Sequence, residues 1–226
     1  MSHMSTSCAT KNSEMVLKRH LVKWLEHKGF QYWCQEFEFM RRPDLVAFSF
    51  TNEHPTSAAS IFSRIPFDYL VSKYSSSYFR AEMLAHRFGL QKGAVVRDLN
   101  RLVELDFLAK TDKGYRVIKS TPFLAQLTTI ECKMTNWKKG LEQAITYKML
   151  FSMESYLALP EKEIKKVDVK MFKKHGIGLL SVDPSGAVNE EVYPEDSIPS
   201  HYLHSASASI AKRFRLNRLK KVQPVT

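Results

Sequence analysis

The strongest constraint on this chain is a change of pattern in its middle. Strand and helix patterns alternate up to about residue 50 and again after residue 120. Between them, residues 65–119 carry three helical patterns and a hairpin. Upstream, Leu17, Leu21, Trp24 and Leu25 recur at helical spacing, after a cap at Asn12 or Ser13 and before a stop at Gly29. Residues 5–12 read as a lead-in without fixed structure. "FQYWCQEFEF" and "RRPDLVAFSF" read as strands, the second entered through Pro43, and "TNEHPTSAAS" as a loop. Downstream, "LTTIECKM" reads as a strand and 136–151 as a helix. "ESYLALP" is then a strand, "EKEIKKVDVKMFKKHG" a helix, "IGLLSVD" a strand, and "GAVNEEVYP" a closing hairpin. Strands on both sides of the interruption belong to one α/β domain with a mixed sheet flanked by helices. The domain is expected over 13–60 and 120–196, with an insertion at 61–119 and a basic C-terminal extension at 197–226.

The insertion has its own logic. "PFDYLVSKYSS" and "SYFRAEMLAHRFGL" form two helices, the second stopping at Gly89. "QKGAVVRDLNRLVELDFL" forms a third with Val95, Leu99 and Leu102 inward, and a hairpin turns around Asp112, Lys113 and Gly114. This order resembles a winged helix-turn-helix. Residues 73–119 hold ten basic against five acidic side chains, a net +5. The resemblance implies DNA contacts from Gln91, Lys92, Arg97 and Arg101 on the third helix and from Lys113 and Arg116 on the wing.

In "LTTIECKM", alternation puts Leu127, Thr129, Glu131 and Lys133 on one face and Thr128, Ile130, Cys132 and Met134 on the other. An acid and a base therefore project together. On the next helix Gln143 and Tyr147 lie one turn apart and face one spot. Pro43-Asp44 opens an earlier strand. Two carboxylates about 4 Å apart repel by roughly 4 kcal/mol at an effective dielectric of 20, a penalty that a divalent cation removes and a lysine reduces.

Together, "RRPD", "IECK" and "EQAITY" resemble the PD-(D/E)xK, or restriction-endonuclease-like, nuclease superfamily; Gln143-x-x-x-Tyr147 is similar to its RecB-like branch. The resemblance implies a magnesium-dependent phosphodiester hydrolase acting on DNA, with Mn2+ able to substitute. The RecB-like branch is one of exonucleases, but nothing in the chain suggests a helicase partner domain, so an endonuclease is expected. Asp44 and Glu131 would be the metal carboxylates, the backbone carbonyl of Cys132 a further ligand, and Glu14 on the first helix a helix carboxylate aimed at the metal. Lys133 would position or help deprotonate the water and offset charge on the phosphate. Gln143 would hold the general base or the scissile phosphate, and Tyr147 would orient Gln143 or contact DNA. One departure from the family pattern is the 87-residue gap between Asp44 and Glu131, usually a hairpin, which the insertion would fill. Two rivals use the same residues: an inactive DNA-binding or assembly protein on a nuclease fold, and an RNA-cleaving effector.

Composition narrows the partners. A formal charge of +11 suits a polyanion. Beyond residue 196 there is no acid, while Lys212, Arg213, Arg215, Arg218, Lys220 and Lys221 are all basic. That segment reads as an amphipathic helix that covers the core with Ile210, Phe214 and Leu219, or tracks phosphates. His201 and His204 read as surface residues. Cys8, Cys34 and Cys132 match no metal spacing and imply reduced thiols in a cytoplasmic or nucleoid-associated protein. No apolar run approaches the length of a membrane span. "MSHM" reads as an appended leader. Cutting both strands would favour a homodimer or larger nucleoprotein assembly.

Overall fold

The computed structural model of the chain describes residues 6–35, 42–51, 58–196, 203–216 and 220–221. In chain order the elements are α1 (Thr6–His27), β1 (Tyr32–Gln35), β2 (Leu45–Phe50), α2 (Ala59–Phe62), α3 (Phe67–Tyr74), α4 (Ala81–Phe88), α5 (Lys92–Glu104), β3 (Leu108–Thr111) and β4 (Gly114–Val117). There follow β5 (Leu124–Cys132), α6 (Trp137–Leu150), β6 (Glu154–Pro160), α7 (Glu161–Ile164), α8 (Val169–His175), β7 (Gly178–Val182), β8 (Val188–Val192), α9 (Leu203–Arg215) and β9 (Lys220–Lys221). They form two compact units, residues 1–49, 126–201 and 219–226 in one and 50–125 and 202–218 in the other.

The first unit is α/β. Its mixed sheet has the order β8-β7-β6-β5-β2-β1-β9. Strands β5, β6 and β7 are parallel, while the β7–β8, β1–β2 and β1–β9 pairs are antiparallel. Alternation along the strands buries both faces. Leu17, Leu21 and Leu25 of α1 pack on Ile130, Cys132, Tyr156, Ala158, Leu180 and Val182. Leu141 and Ala144 of α6 and Phe172 of α8 pack on Leu157, Leu159 and Leu179. Each leucine buried in this way stabilises the fold by about 1.5–3 kcal/mol. Both β5-to-β6 and β6-to-β7 connections run through helix, as parallel pairing requires.

The pattern expected from the sequence changes at two places here. The lead-in at 5–12 is helical from Thr6, and neither Gly nor Pro interrupts residues 6–27. The single helix expected from Glu161 is two, α7 and α8. Asp168 interrupts it by accepting the Lys170 amide proton at 3.0 Å, so it caps a new helix instead of continuing the old one. Of "FQYWCQEFEF", the part after Gln35 lies outside the described residues, as do the side chain of Cys34, that of Cys8, and His201.

The second unit holds α2 to α5, the β3–β4 hairpin and α9. Phe62, Phe67, Phe107 and Phe123 form its aromatic centre, with ring centroids 4.9–5.5 Å apart. Val95, Leu99 and Leu102 of α5 are fully buried, as their spacing predicts. The hairpin gains a third member, because Phe79 and Tyr115 exchange two backbone hydrogen bonds of 2.9 Å. Gly114 makes this possible: its φ is 123°, and a Cβ there would sit 2.5 Å from the Phe79 carbonyl oxygen.

The segment 197–226 divides between the units. Helix α9 packs on α2 and α3 through Leu203, Ala206, Ile210 and Ala211, whereas β9 pairs with β1. The side chains of Phe214 and Leu219 lie outside the described residues. Buried Asp68 of α3 joins α9 to this core, accepting hydrogen bonds from the Ser207 hydroxyl and from the Phe123 amide at 2.6 Å. Among the described residues no helix is long and apolar enough to cross a membrane.

Burial raises the Asp68 pKa, against the lowering effect of these two donors. Its folded pKa therefore exceeds its unfolded value. The stabilisation is complete below the unfolded pKa and is lost as pH rises through the folded one. Asp68→Asn should abolish that decline in a melting-temperature series against pH. Asp68→Ala should cost about 1–3 kcal/mol at acidic pH by stranding two buried donors.

Candidate functional site

Asp44 immediately precedes β2, and Glu131 lies near the end of β5, its neighbour in the sheet. The link between them is direct. Asp44 Oδ2 accepts the Cys132 amide proton at 2.8 Å, and Oδ1 pairs with Lys18 Nζ on α1 at 2.6 Å. Burial works to lower the Lys18 pKa, but the Asp44 hydrogen bond and charge outweigh it and leave it raised.

Glu131 is buried, at 2% exposure. One carboxylate oxygen pairs with Lys133 Nζ, and the other accepts the Tyr147 hydroxyl proton at 2.8 Å. Burial raises the Glu131 pKa and the charge of Asp44 adds to it, while Lys133 and Tyr147 oppose the rise. The two carboxylates thus feel one another, although 87 residues separate them. Cys132 points the other way, into the α1 core, where burial pushes its thiol pKa well up. This is the alternation read from the sequence.

Helix α6 forms the roof of the Glu131 face. Asn136 caps it, accepting the Lys139 amide proton at 3.4 Å. Gly140 lets it come close: a Cβ there would meet Leu157 Cδ1 at 2.5 Å and Lys133 Cγ at 2.9 Å. One turn further, Gln143 hydrogen-bonds to the Tyr147 hydroxyl, and its Oε1 is buried with no hydrogen-bond partner among the described residues. Burial, the charge of Glu131 and its hydrogen bond raise the Tyr147 pKa, so the group stays a proton donor. Thr129, on the same strand face, bonds Ser155, whose hydroxyl donates to the Ala144 carbonyl of α6 at 2.8 Å.

The structure therefore brings Asp44, Glu131, Lys133, Gln143 and Tyr147 together. Tyr147 is 1% exposed. Its hydroxyl serves Glu131. Glu14 acts electrostatically on Lys18 and Cys132. It does not complete a three-carboxylate cluster, since no group of three or more His, Cys, Asp or Glu side chains able to hold a metal occurs among the described residues. Lys18 was not singled out from the sequence, although it follows Glu14 by one helical turn.

In the second unit Gln91, Lys92, Arg97, Arg101, Lys113 and Arg116 are all exposed. Lys92 pairs with Glu82 at 2.5 Å and Arg101 with Glu104 at 2.5 Å, exposed contacts that are easily exchanged for others. Lys113 and Arg116 each lie 6.0 Å from the ring centroid of exposed Tyr78. Comparison with protein-family models, with characterised proteins and with solved structures gives no match.

The geometry of α6 predicts two losses. Gly140→Ala should destabilise the first unit by about 1–3 kcal/mol through overpacking against Leu157. Tyr147→Phe should cost about 1–3 kcal/mol by removing a donor from a buried carboxylate. Combined with Glu131→Gln, Tyr147→Phe should be non-additive in denaturant unfolding, because the two side chains share one hydrogen bond.

Proposed function

We propose that the chain is a magnesium-dependent DNA endonuclease built on a PD-(D/E)xK catalytic unit, with residues 61–119 as an inserted winged helix-turn-helix that holds the substrate. The observation carrying this reading is the meeting of Asp44, Glu131 and Lys133 at the ends of neighbouring strands across a gap of 87 residues. An exposed ion pair on an edge strand would not have Glu131 buried beneath a helix.

The donor set fits a hard divalent cation. Magnesium takes one or two protein carboxylates and keeps several waters. Asp44, Glu131 and the Cys132 carbonyl would hold it, and Mn2+ would substitute. Bound there, the metal supplies Lewis acidity toward the phosphate and lowers the pKa of a water. The protein's own groups then do the rest. Lys133 offsets negative charge growing on the phosphate and positions the attacking water. Gln143 Oε1, buried and with no hydrogen-bond partner among the described residues, would be an acceptor for a water proton. Tyr147 holds Glu131 in one orientation, so its charge is aimed before the substrate arrives.

The exposed cations of the second unit support DNA as the polymer. In the winged-helix reading α5 enters the major groove with Gln91, Lys92, Arg97 and Arg101, while Lys113 and Arg116 reach the backbone from the hairpin. Double-strand cutting on this scheme calls for two copies, since one such site cuts one strand.

Plasmid nicking with Mg2+, with Mn2+ and with chelator tests the reading. Asp44→Asn and Glu131→Gln should each lower cleavage by about a hundredfold or more, as loss of one preorganised charge-stabilising group does. Both should leave DNA affinity unchanged. Arg97→Ala should weaken DNA binding and reduce the salt slope of log K by about one. Cleavage of RNA in preference to duplex DNA would redirect the proposal to the effector reading, and undiminished activity of Glu131→Gln would refute the site.

A further inference from the structure

We propose that Lys18 is an internal counter-cation that competes with the divalent metal for Asp44 and so sets how tightly the site is loaded. This rests on the metal-site reading above and adds a residue that its motifs do not contain.

The geometry is specific. Asp44 has one oxygen committed to the Cys132 amide at 2.8 Å, which fixes the carboxylate against β5. The other is held by the Lys18 ammonium at 2.6 Å. A divalent cation on that oxygen and an ammonium at hydrogen-bond distance from it would place two positive centres side by side. One must leave. The backbone amide cannot, because it belongs to the strand. The Lys18 side chain can, because it is a point charge on a flexible four-carbon stem with 21% of its side chain exposed.

The chain also gives it somewhere to go. Glu14 lies four residues earlier on α1 and already acts favourably on the Lys18 charge. Glutamate N-terminal to lysine at that spacing is the better orientation for a helical ion pair. Metal entry thus exchanges one partner of Lys18 for another, with no buried charge left unpaired on either side. Lys133 differs, because its carboxylate partner Glu131 is also held by Tyr147 and lies deeper beneath α6.

The test is metal binding by the full chain, read by the electron paramagnetic resonance signal of free Mn2+ at neutral pH. Lys18→Met should bind Mn2+ roughly tenfold tighter or more than the natural chain, because a unit charge next to a dication has been removed. Lys18→Gln, which keeps a donor for Asp44 and guards against misfolding, should tighten binding in the same direction. Lys18→Arg should stay at the natural affinity, as should Lys23→Met, which removes an exposed charge from the same helix. Asp44→Asn should remove the gain. Equal or weaker binding by both neutral Lys18 variants overturns the role of Lys18 and leaves the metal site standing. A matching gain in Lys23→Met overturns it too, since the effect would then be one of net charge. If neither the natural chain nor any variant takes up Mn2+, the metal-site reading itself falls.

Discussion

The hydrogen bond from the Cys132 amide to Asp44 Oδ2 holds the candidate site together. It joins residues 88 positions apart and fixes where the start of β2 lies against the end of β5. A charge-assisted bond from a backbone amide is short and directional, and a carboxylate held in this way presents its second oxygen to Lys18. Slip β5 by one residue and every side chain changes face. Glu131 would then enter the α1 core, and Cys132 would meet Tyr147. Alternation, register and site are therefore one constraint, and the apolar residues on both faces of β5 enforce it.

Burial of Glu131 is the costly feature of this arrangement. A carboxylate removed from water must be paired and hydrogen-bonded, and Glu131 receives one partner on each oxygen. Such a pair is weak evidence for stability, because the desolvation of both charges offsets their attraction. A second carboxylate raises the Glu131 pKa further, and the proposed divalent cation is what would offset that repulsion. Gln143 points the same way. A buried oxygen without a partner is a loss in a structural helix and a resource in a site that receives a ligand.

What was legible in the sequence follows from period and spacing. The two faces of β5, the turn separating Gln143 from Tyr147, the inward row of α5 and the hairpin at Asp112 all come from short-range geometry, which residue order displays directly. Lys18 does not. On α1 it is one of several lysines, and only the approach of a strand end 26 residues later distinguishes it. The break between α7 and α8 was hidden for another reason. Asp168 is a poor helix residue only by a few tenths of a kcal/mol, until its side chain captures the Lys170 amide and starts a new helix. Asp68 sits in the first turn of α3, and its distant partner Ser207 is not marked by any short-range pattern.

That partner also changes what kind of object the second unit is. The segment 51–123 looks self-contained along the chain. Its ends meet, with the Thr51 amide donating to the Phe123 carbonyl at 3.3 Å and the Thr51 hydroxyl to the Pro122 carbonyl at 2.9 Å. Joined ends let a long insertion fold without straining its host, since closure entropy grows only slowly with length. Yet its helical face is completed by α9, whose Ser207 lies 139 positions after Asp68 and which buries Leu203, Ala206, Ile210 and Ala211. After α9 the chain returns to the first unit as β9, paired with β1. The cations of α9 therefore do not lie on a free tail. The helix that carries Lys212, Arg213 and Arg215 is anchored by its apolar face, and its position depends on Asp68. On the proposed DNA-binding reading, the polymer would meet those charges on a packed helix in the same unit as α5 and the hairpin. Anchoring reduces the side-chain and backbone entropy lost on binding, which is how a surface of individually weak contacts becomes an effective one.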